Sequence, residues 1–123
     1  LVPTGGIRES LTTASDVDLT YNPYKGVIQT PISTQTSIPV GVAVSTIALS
    51  GCGWIATRGV HGVLTIGTLI IGNRAVIPTG TAAGACGPET ATATVMDNEV
   101  TIGRVMRVSA STEWSTIYLT IDG

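Results

Sequence analysis

Short apolar runs recur along residues 26–123 at intervals of about ten residues, and Gly, Pro, Asn or Asp separates many of them. Alternation such as that of Val40, Val42 and Val44 has the period of a β-strand. The pattern predicts strands at residues 26–30, 40–48, 52–57, 60–66, 68–71, 74–78, 91–96, 101–109 and 115–121. Turn residues at Gly72-Asn73 and Asp97-Asn98 separate some of these strands, and the small residues of 79–88 predict a loop.

The residue composition indicates the same class of fold. The chain has no Phe, and Val, Ile and Thr make up more than a third of it. β-Branched residues favour the pleated surface of a sheet. The 15 glycines are spread through the sequence, and each costs roughly 1 kcal/mol in a helix interior. We therefore predict an all-β protein, built as a small β-barrel, a β-tulip or a sandwich.

Residues 1–25 differ from the rest because they show no hydrophobic period. Asn22-Pro23 predicts a turn near the end of this segment. We interpret residues 1–25 as an extended N-terminal arm, which becomes ordered mainly through contacts with partners. Residues 26–123 then form the β-domain.

Charged residues are missing from long parts of the chain. No Asp, Glu, Lys or Arg occurs in residues 26–57, in residues 59–73 or in residues 75–88. A surface in contact with water keeps its charges, whereas the core of a protein–protein interface is depleted of them. The charge pattern therefore predicts a protein that fits into an assembly.

The sequence indicates neither a nucleic acid nor a membrane as a partner. A net charge of −2, one lysine and arginines scattered along the sequence do not indicate a nucleic-acid-binding protein. Residues 37–56 have about the length of a membrane span, but Pro39, three glycines and repeated Ser and Thr interrupt them. We predict no membrane segment. No secretory signal is visible, and we expect that Leu1 is not the first residue of the gene product.

The sequence offers little chemistry for catalysis. His61 is the only histidine, and it has no candidate catalytic partner near it in the sequence. Residues 51–56 match the G-x-G-x-x-A form of a dinucleotide loop, yet a further β-like run follows and no acidic residue lies about 20 positions later. The pairs Asp16–Asp18 and Asp97–Glu99 supply too few oxygens for calcium. We predict no enzyme activity, no cofactor and no metal.

The two cysteines, Cys52 and Cys86, have a spacing that fits no zinc or redox motif. They could form one disulfide or remain reduced. We favour two reduced thiols in a protein made in a cytosol.

Several motifs follow one another in a fixed order between residues 22 and 121. They read NPYKGVIQ at 22–29, PVGVA at 39–43, GWIATRG at 53–59, IGNRAVIPTG at 71–80, TIGRVM at 101–106, STEW at 111–114 and IYLTI at 117–121. In this order they resemble the small decoration, or cement, proteins of tailed-bacteriophage heads. Those proteins show a similar Gly-Trp strand, a Gly-Asn hairpin, a loop of small residues and a late Ile-Gly strand.

The resemblance implies a β-barrel or β-tulip domain, often trimeric, on the outer capsid surface where coat subunits meet. The expected protein is made in the host cytoplasm and is then part of the virion. It binds the major capsid protein and its own copies, and it stabilises the contacts between capsid subunits without catalysis. The candidate capsid or trimer contacts are Ile7, Arg8, Val17, Leu19, Tyr21, Tyr24, Val42 and Val44.

The few large aromatic residues are the candidate structural anchors, in the core or in an interface: Trp54, Trp114 and Tyr118. We expect that Trp54→Ala severely destabilises the fold or the trimer, whereas His61→Ala changes little. The alternative function is a β-sandwich module, displayed on a virion, that binds host-surface glycans through its tryptophans.

Overall fold

The structure is a computed structural model, and it describes residues 12, 13, 16, 20–33, 35–78, 82–89 and 100–122. All regular secondary structure in this part of the chain is β-strand. The strands are β1 (Val42–Ala43), β2 (Ile55–Ala56), β3 (Arg58–Leu64), β4 (Arg74–Val76), β5 (Gly87–Pro88), β6 (Thr101–Arg107) and β7 (Trp114–Thr120). The prediction of an all-β protein is confirmed.

The strands form two antiparallel sheets. One sheet pairs β1 with β2, and the other has five strands in the order β3-β7-β6-β4-β5. The long strands β3 and β7 pair along their whole length, from Arg58 opposite Thr120 to Leu64 opposite Trp114. Because β3 and β7 are far apart in sequence, this pairing is a long-range feature of the fold.

The two ends of the five-stranded sheet meet at one point. Thr65, just after β3, forms a parallel bridge with Cys86, just before β5. Two backbone hydrogen bonds of 2.9 Å hold this seam, from the N–H of Ile66 to the Cys86 carbonyl and from the N–H of Cys86 to the Leu64 carbonyl. The described strands therefore form a curled sheet with a single point of contact between its ends, and not the closed barrel that was one of the predicted forms.

The core lies on the inner side of this curled sheet. Alternate residues of β7, Ser115, Ile117 and Leu119, are buried, as the period of two in a strand requires. Ile117 and Leu119 are 0% exposed. Burying each such side chain fully contributes about 1.5–3 kcal/mol. The other members of the hydrophobic core are Ala56, Val63, Leu69, Ala75, Ile77, Cys86, Ile102 and Val105.

A buried polar pair connects the loop before β7 to the end of β3. The hydroxyl of Thr65 lies 2.9 Å from that of Ser115 and donates to the Glu113 carbonyl at 2.9 Å. The N–H of Ser109 donates to the Ser115 hydroxyl at 3.0 Å. Both buried hydroxyl groups are thus hydrogen-bonded, as buried polar groups must be to avoid a large desolvation cost.

Several predicted strands are absent or shorter than expected. Residues 26–30 and 68–71 form no strand, residues 40–48 and 52–57 pair only as the short β1 and β2, and residues 74–78 pair only as β4. Residues 68–71 instead lead into a turn closed by the Asn73 N–H on the Ile70 carbonyl. The prediction for 91–96 lies outside the described residues. In these runs the apolar composition predicts more strand than the neighbouring strands pair with.

The predicted turns and loop have mixed outcomes. The turn at Gly72-Asn73 is present, and Gly72 has a φ of +88°, which favours glycine. The turn at Asn22-Pro23 is also present, closed by the Lys25 N–H on the Asn22 carbonyl. The turn at Asp97-Asn98 lies outside the described residues. Within the predicted loop, Gly87 and Pro88 are paired as β5.

Candidate functional site

The titratable residues form no recognisable catalytic group in the described part of the chain. His61 is half-buried in β3, opposite the core residue Ile117. No three His, Cys, Asp or Glu residues among those described lie close enough together to hold a metal ion. In the described part of the chain, no helix could cross a membrane.

The first surface belongs to residues 26–57, which we call the uncharged segment. Seven of its large apolar side chains are exposed in the single chain, including Leu49 at 98%, Trp54 at 83% and Ile38 at 76%. The others are Val27, Ile28, Ile32 and Val44. Single exposed apolar residues are common, but a set of them in a stretch without charge makes this segment a candidate site of interaction.

The hairpin of β1 and β2 presents part of this segment. Val42 pairs with Ala56 and Ala43 with Ile55, and the N–H of Val44 donates to the Trp54 carbonyl at 3.0 Å. The backbone of Trp54 is thus held by the hairpin, while its indole is largely exposed.

Two glycines allow the connection between β1 and β2 to fold tightly. A Cβ on Gly51 would lie 2.9 Å from the Ala48 carbonyl oxygen, and one on Gly53 would overlap the Ile47 side chain.

An open groove of about 440 Å³ lies beside Trp54 and is also lined by Ser45, Cys52 and Gly53. Trp54 and the groove lie together at the hairpin of the uncharged segment.

The two tryptophans are not core residues of the single chain. Trp54 is 83% exposed and Trp114 is 65% exposed, and Tyr118 is also exposed. The expectation of a core anchor is therefore wrong for these residues, and the expectation of an interface anchor remains a prediction. Trp54 precedes the first residue of β2, whereas Trp114 and Tyr118 occupy outward positions of β7, which alternate with its buried residues.

The candidate contacts have different environments. Ile7, Arg8, Val17 and Leu19 lie outside the described residues. Tyr21 and Tyr24 are exposed beside the Asn22-Pro23 turn, and Val44 is exposed after β1. Val42, in contrast, packs against the hydrophobic core. Because Val42 is used inside the fold, it is a weaker contact candidate than the sequence indicated.

The cysteines form no disulfide. Cys52 is exposed beside Trp54, and Cys86 is buried at the seam of the sheet. Burial raises the pKa of the Cys86 thiol to about 12, from an ordinary value of 9.0. The two thiols therefore differ strongly in accessibility and in acidity.

The second surface is one that the sequence did not reveal. Residues paired directly across antiparallel strands project to the same face of a sheet. Tyr118 pairs with Val60 of β3 and with Arg104 of β6, and Arg104 pairs with Arg74 of β4. The outer sheet face, as we call it, consists of Arg58, Val60, Arg74, Arg104, Arg107, Trp114, Thr116, Tyr118 and Thr120.

The arginines are scattered in sequence, but four of the five share this face. Each of them is exposed at an outward position of its strand. The alternation of the strands could have indicated which residues point outward. Only the register of pairing shows that these residues are neighbours.

Comparison with protein-family models, with curated proteins and with solved structures found no match for this chain.

Proposed function

We propose that this protein is a non-enzymatic capsid decoration protein of a tailed bacteriophage. In this proposal it binds the outer surface of the phage head and stabilises the contacts between major capsid protein subunits. The observation that supports this most strongly is the exposure of large apolar side chains in the uncharged segment, above all Leu49 and Trp54. The order of motifs that resembles cement proteins supports the choice of a capsid as the partner.

The exposed surface is large enough to contribute to binding. A tryptophan presents up to about 250 Å², and Trp54 is 83% exposed in the single chain. About 200 Å² can therefore be buried at a contact, which corresponds to roughly 5 kcal/mol at 25 cal/mol per Å². Association costs offset part of this value, so several such side chains must be buried together. The uncharged segment has them.

A cement protein also has to bridge several coat subunits. We propose that the copies form a trimer on the capsid, and that the arm of residues 1–25 contacts coat protein or a neighbouring copy. Symmetric repetition multiplies the effect of each weak contact. The exposed rings of Tyr21 and Tyr24, where the arm joins the domain, support a contact at this end of the arm.

The proposal can be tested with capsids that lack the protein. The purified protein is mixed with these capsids, and co-sedimentation and the temperature of capsid disruption are measured. We expect the wild-type protein to bind and to raise that temperature. Leu49→Asp and Val44→Asp should each weaken binding by at least about tenfold, because each places a charge in an apolar contact.

The matched control is Val108→Asp, which changes an exposed apolar residue outside the uncharged segment. It should leave binding unchanged. Failure of the wild-type protein to bind capsids would refute the proposed function. Normal binding by both Leu49→Asp and Val44→Asp would refute the role of the uncharged segment.

One observation supports the second candidate, a glycan-binding module displayed on a virion. The exposed indole of Trp54 beside an open groove is a possible stacking surface for a sugar ring, and Ser45 supplies a hydroxyl in the same groove. A glycan array distinguishes the two functions. Binding that is lost in Trp54→Ala but kept in Leu49→Asp would favour the glycan-binding function.

A further inference from the structure

The outer sheet face carries an unbalanced positive charge. The only ion pair among the described residues joins Arg74 to Glu89, with 3.2 Å between the guanidinium nitrogen and the carboxylate oxygen. Arg104 donates to the Gly72 carbonyl at 3.0 Å, which leaves its charge uncompensated. Arg58 and Arg107 form no ion pair with a described residue.

The charge of this face is opposite to that of the whole chain. Its four arginines, together with Glu89 as the ion-pair partner of Arg74, have a net charge of +3. Since the chain has a net charge of −2, the remaining residues amount to −5. Those residues include Glu113 and Asp122, which flank the two ends of β7. The arginines on the outward positions of the sheet therefore give this face a local positive charge.

Two arginines of this face are paired across neighbouring strands. Arg74 and Arg104 lie directly opposite each other in β4 and β6. Like charges at such positions destabilise a sheet, and Glu89 neutralises only one of the two. A bound anion near Arg104 would relieve this repulsion. Arg104 is thus an arginine of this face without an ion-pair partner among the described residues, to which an acidic group can bind.

Apolar side chains are interleaved with the arginines. Val60 and Tyr118 are paired neighbours in the centre of the face, and Trp114 lies on the same side of β7. Met106 is exposed next to Arg107, at the irregularity where β6 pairs with β7. Trp, Tyr, Met and Arg are the residues enriched in protein–protein interfaces, whereas Lys is depleted, and this face has no lysine.

We propose that the outer sheet face is a second interaction surface, which binds an acidic segment of a partner protein. The guanidinium groups of Arg58, Arg104 and Arg107 hold Asp or Glu carboxylates, and Tyr118 and Trp114 contact apolar side chains beside them. Arginine suits this role because its planar group can bind a carboxylate through two parallel hydrogen bonds. The surface is distinct from the uncharged segment and does not depend on the proposed capsid function.

A nucleic acid fits the observations less well than an acidic protein. Val60 and Met106 offer apolar contacts that a phosphate backbone does not use.

The size of the face predicts a modest affinity. A strand of seven residues is about 20 Å long, and the spacings from β3 to β4 add to about 14 Å, so the face covers roughly 300 Å² in projection. A standard interface buries about 800 Å² on each partner. The outer sheet face alone therefore supports weak, salt-sensitive binding, and tighter binding requires that the partner also contacts a second surface.

The test uses the purified full chain and three immobilised probes: poly-L-glutamate, a short oligo(dT) and an uncharged polyethylene glycol. Binding is measured by biolayer interferometry at low and at high salt. We expect binding to poly-L-glutamate that weakens with salt and exceeds binding to oligo(dT). The double variant Arg104→Gln/Arg107→Gln should lose at least about tenfold in affinity.

Matched controls make the result specific. Lys25→Gln removes a cation outside the face and should leave the affinity unchanged. Arg74→Gln should lose less than the double variant, because Arg74 is already paired with Glu89. Trp114→Ala should weaken binding about threefold or more, and Trp54→Ala should have no effect. Circular dichroism and thermal unfolding check that each variant is folded, and Arg58→Gln/Arg107→Gln replaces the first double variant if that one unfolds.

Three outcomes would overturn the proposal. They are the absence of binding to poly-L-glutamate, an equal loss of affinity in Lys25→Gln and in the double variant, and tighter binding to oligo(dT). The last outcome would identify a nucleic-acid-binding face instead. Because the assay contains no capsids, its result is independent of the test of the proposed function.

Discussion

Trp54→Ala separates a role in folding from a role in assembly. Trp54 is 83% exposed, so only about a sixth of its surface is buried in the single chain. For a side chain of about 250 Å², this is roughly 40 Å². At 25 cal/mol per Å² the loss on truncation is about 1 kcal/mol. The backbone hydrogen bond from Val44 to the Trp54 carbonyl does not involve the side chain and should survive the substitution.

A core substitution gives the scale for comparison. Ile117 is 0% exposed at the centre of the five-stranded sheet. Ile117→Ala removes buried methyl groups and leaves a cavity, and such substitutions cost about 2–5 kcal/mol. We therefore expect Trp54→Ala to lower the free energy of unfolding by about 1 kcal/mol, which is less than the loss in Ile117→Ala. The sequence alone predicts that Trp54→Ala severely destabilises the fold or the trimer; the exposure of Trp54 argues against the first of these effects and leaves the second as a prediction.

The two effects are measured separately. Urea unfolding of the isolated protein, followed by circular dichroism, gives the change in folding stability for both variants. Co-sedimentation with capsids gives the change in binding, for which an interface anchor is worth about 2 kcal/mol or more. A loss of folding stability above about 2 kcal/mol in Trp54→Ala would show that the indole is buried in solution and would refute the reasoning.

Three further predictions concern the sheet and its seam. Gly103→Ala should lower the free energy of unfolding by about 1–3 kcal/mol, because a Cβ there overlaps the Tyr118 carbonyl oxygen. The control is Gly62→Ala, because Gly62 has room for a Cβ. An equal loss of stability in both variants would contradict the prediction. A thiol reagent should label Cys52 in the native protein and Cys86 only after unfolding; labelling of both at one rate would be inconsistent with a buried seam. Because the pKa of Cys86 is raised to about 12, the stability due to its neutral thiol should be complete below pH 9 and should be lost as the pH rises towards 12. Urea unfolding across this range should show a decline that is smaller in Cys86→Ala, and identical pH profiles of the two proteins would contradict it.

The strands that the sequence predicted best are the long ones of the five-stranded sheet. The predicted strands 60–66, 101–109 and 115–121 overlap β3, β6 and β7 with small shifts at their ends. In these strands apolar residues alternate with polar ones, because one face of the sheet is buried and the other is exposed.

The segments predicted wrongly share one physical cause. Residues 26–30 and 68–71 have the apolar composition of strands, but a strand forms only where a neighbour accepts its backbone hydrogen bonds. Gln29 and Thr30 instead make two isolated hydrogen bonds to Ala83 and Gly84. Whether a neighbouring strand is present depends on residues far away in the chain.

The sequence by itself determined the all-β class, the turns at Asn22-Pro23 and Gly72-Asn73, and the absence of charge from residues 26–57. These features follow from local chemistry: β-branched side chains, turn residues and the types of residue that occur in succession. Only the tertiary structure decided that Trp54 and Trp114 are exposed and that the sheet ends meet at Cys86. It also decided that four arginines share one face, because the register between strands distant in sequence sets which side chains are neighbours.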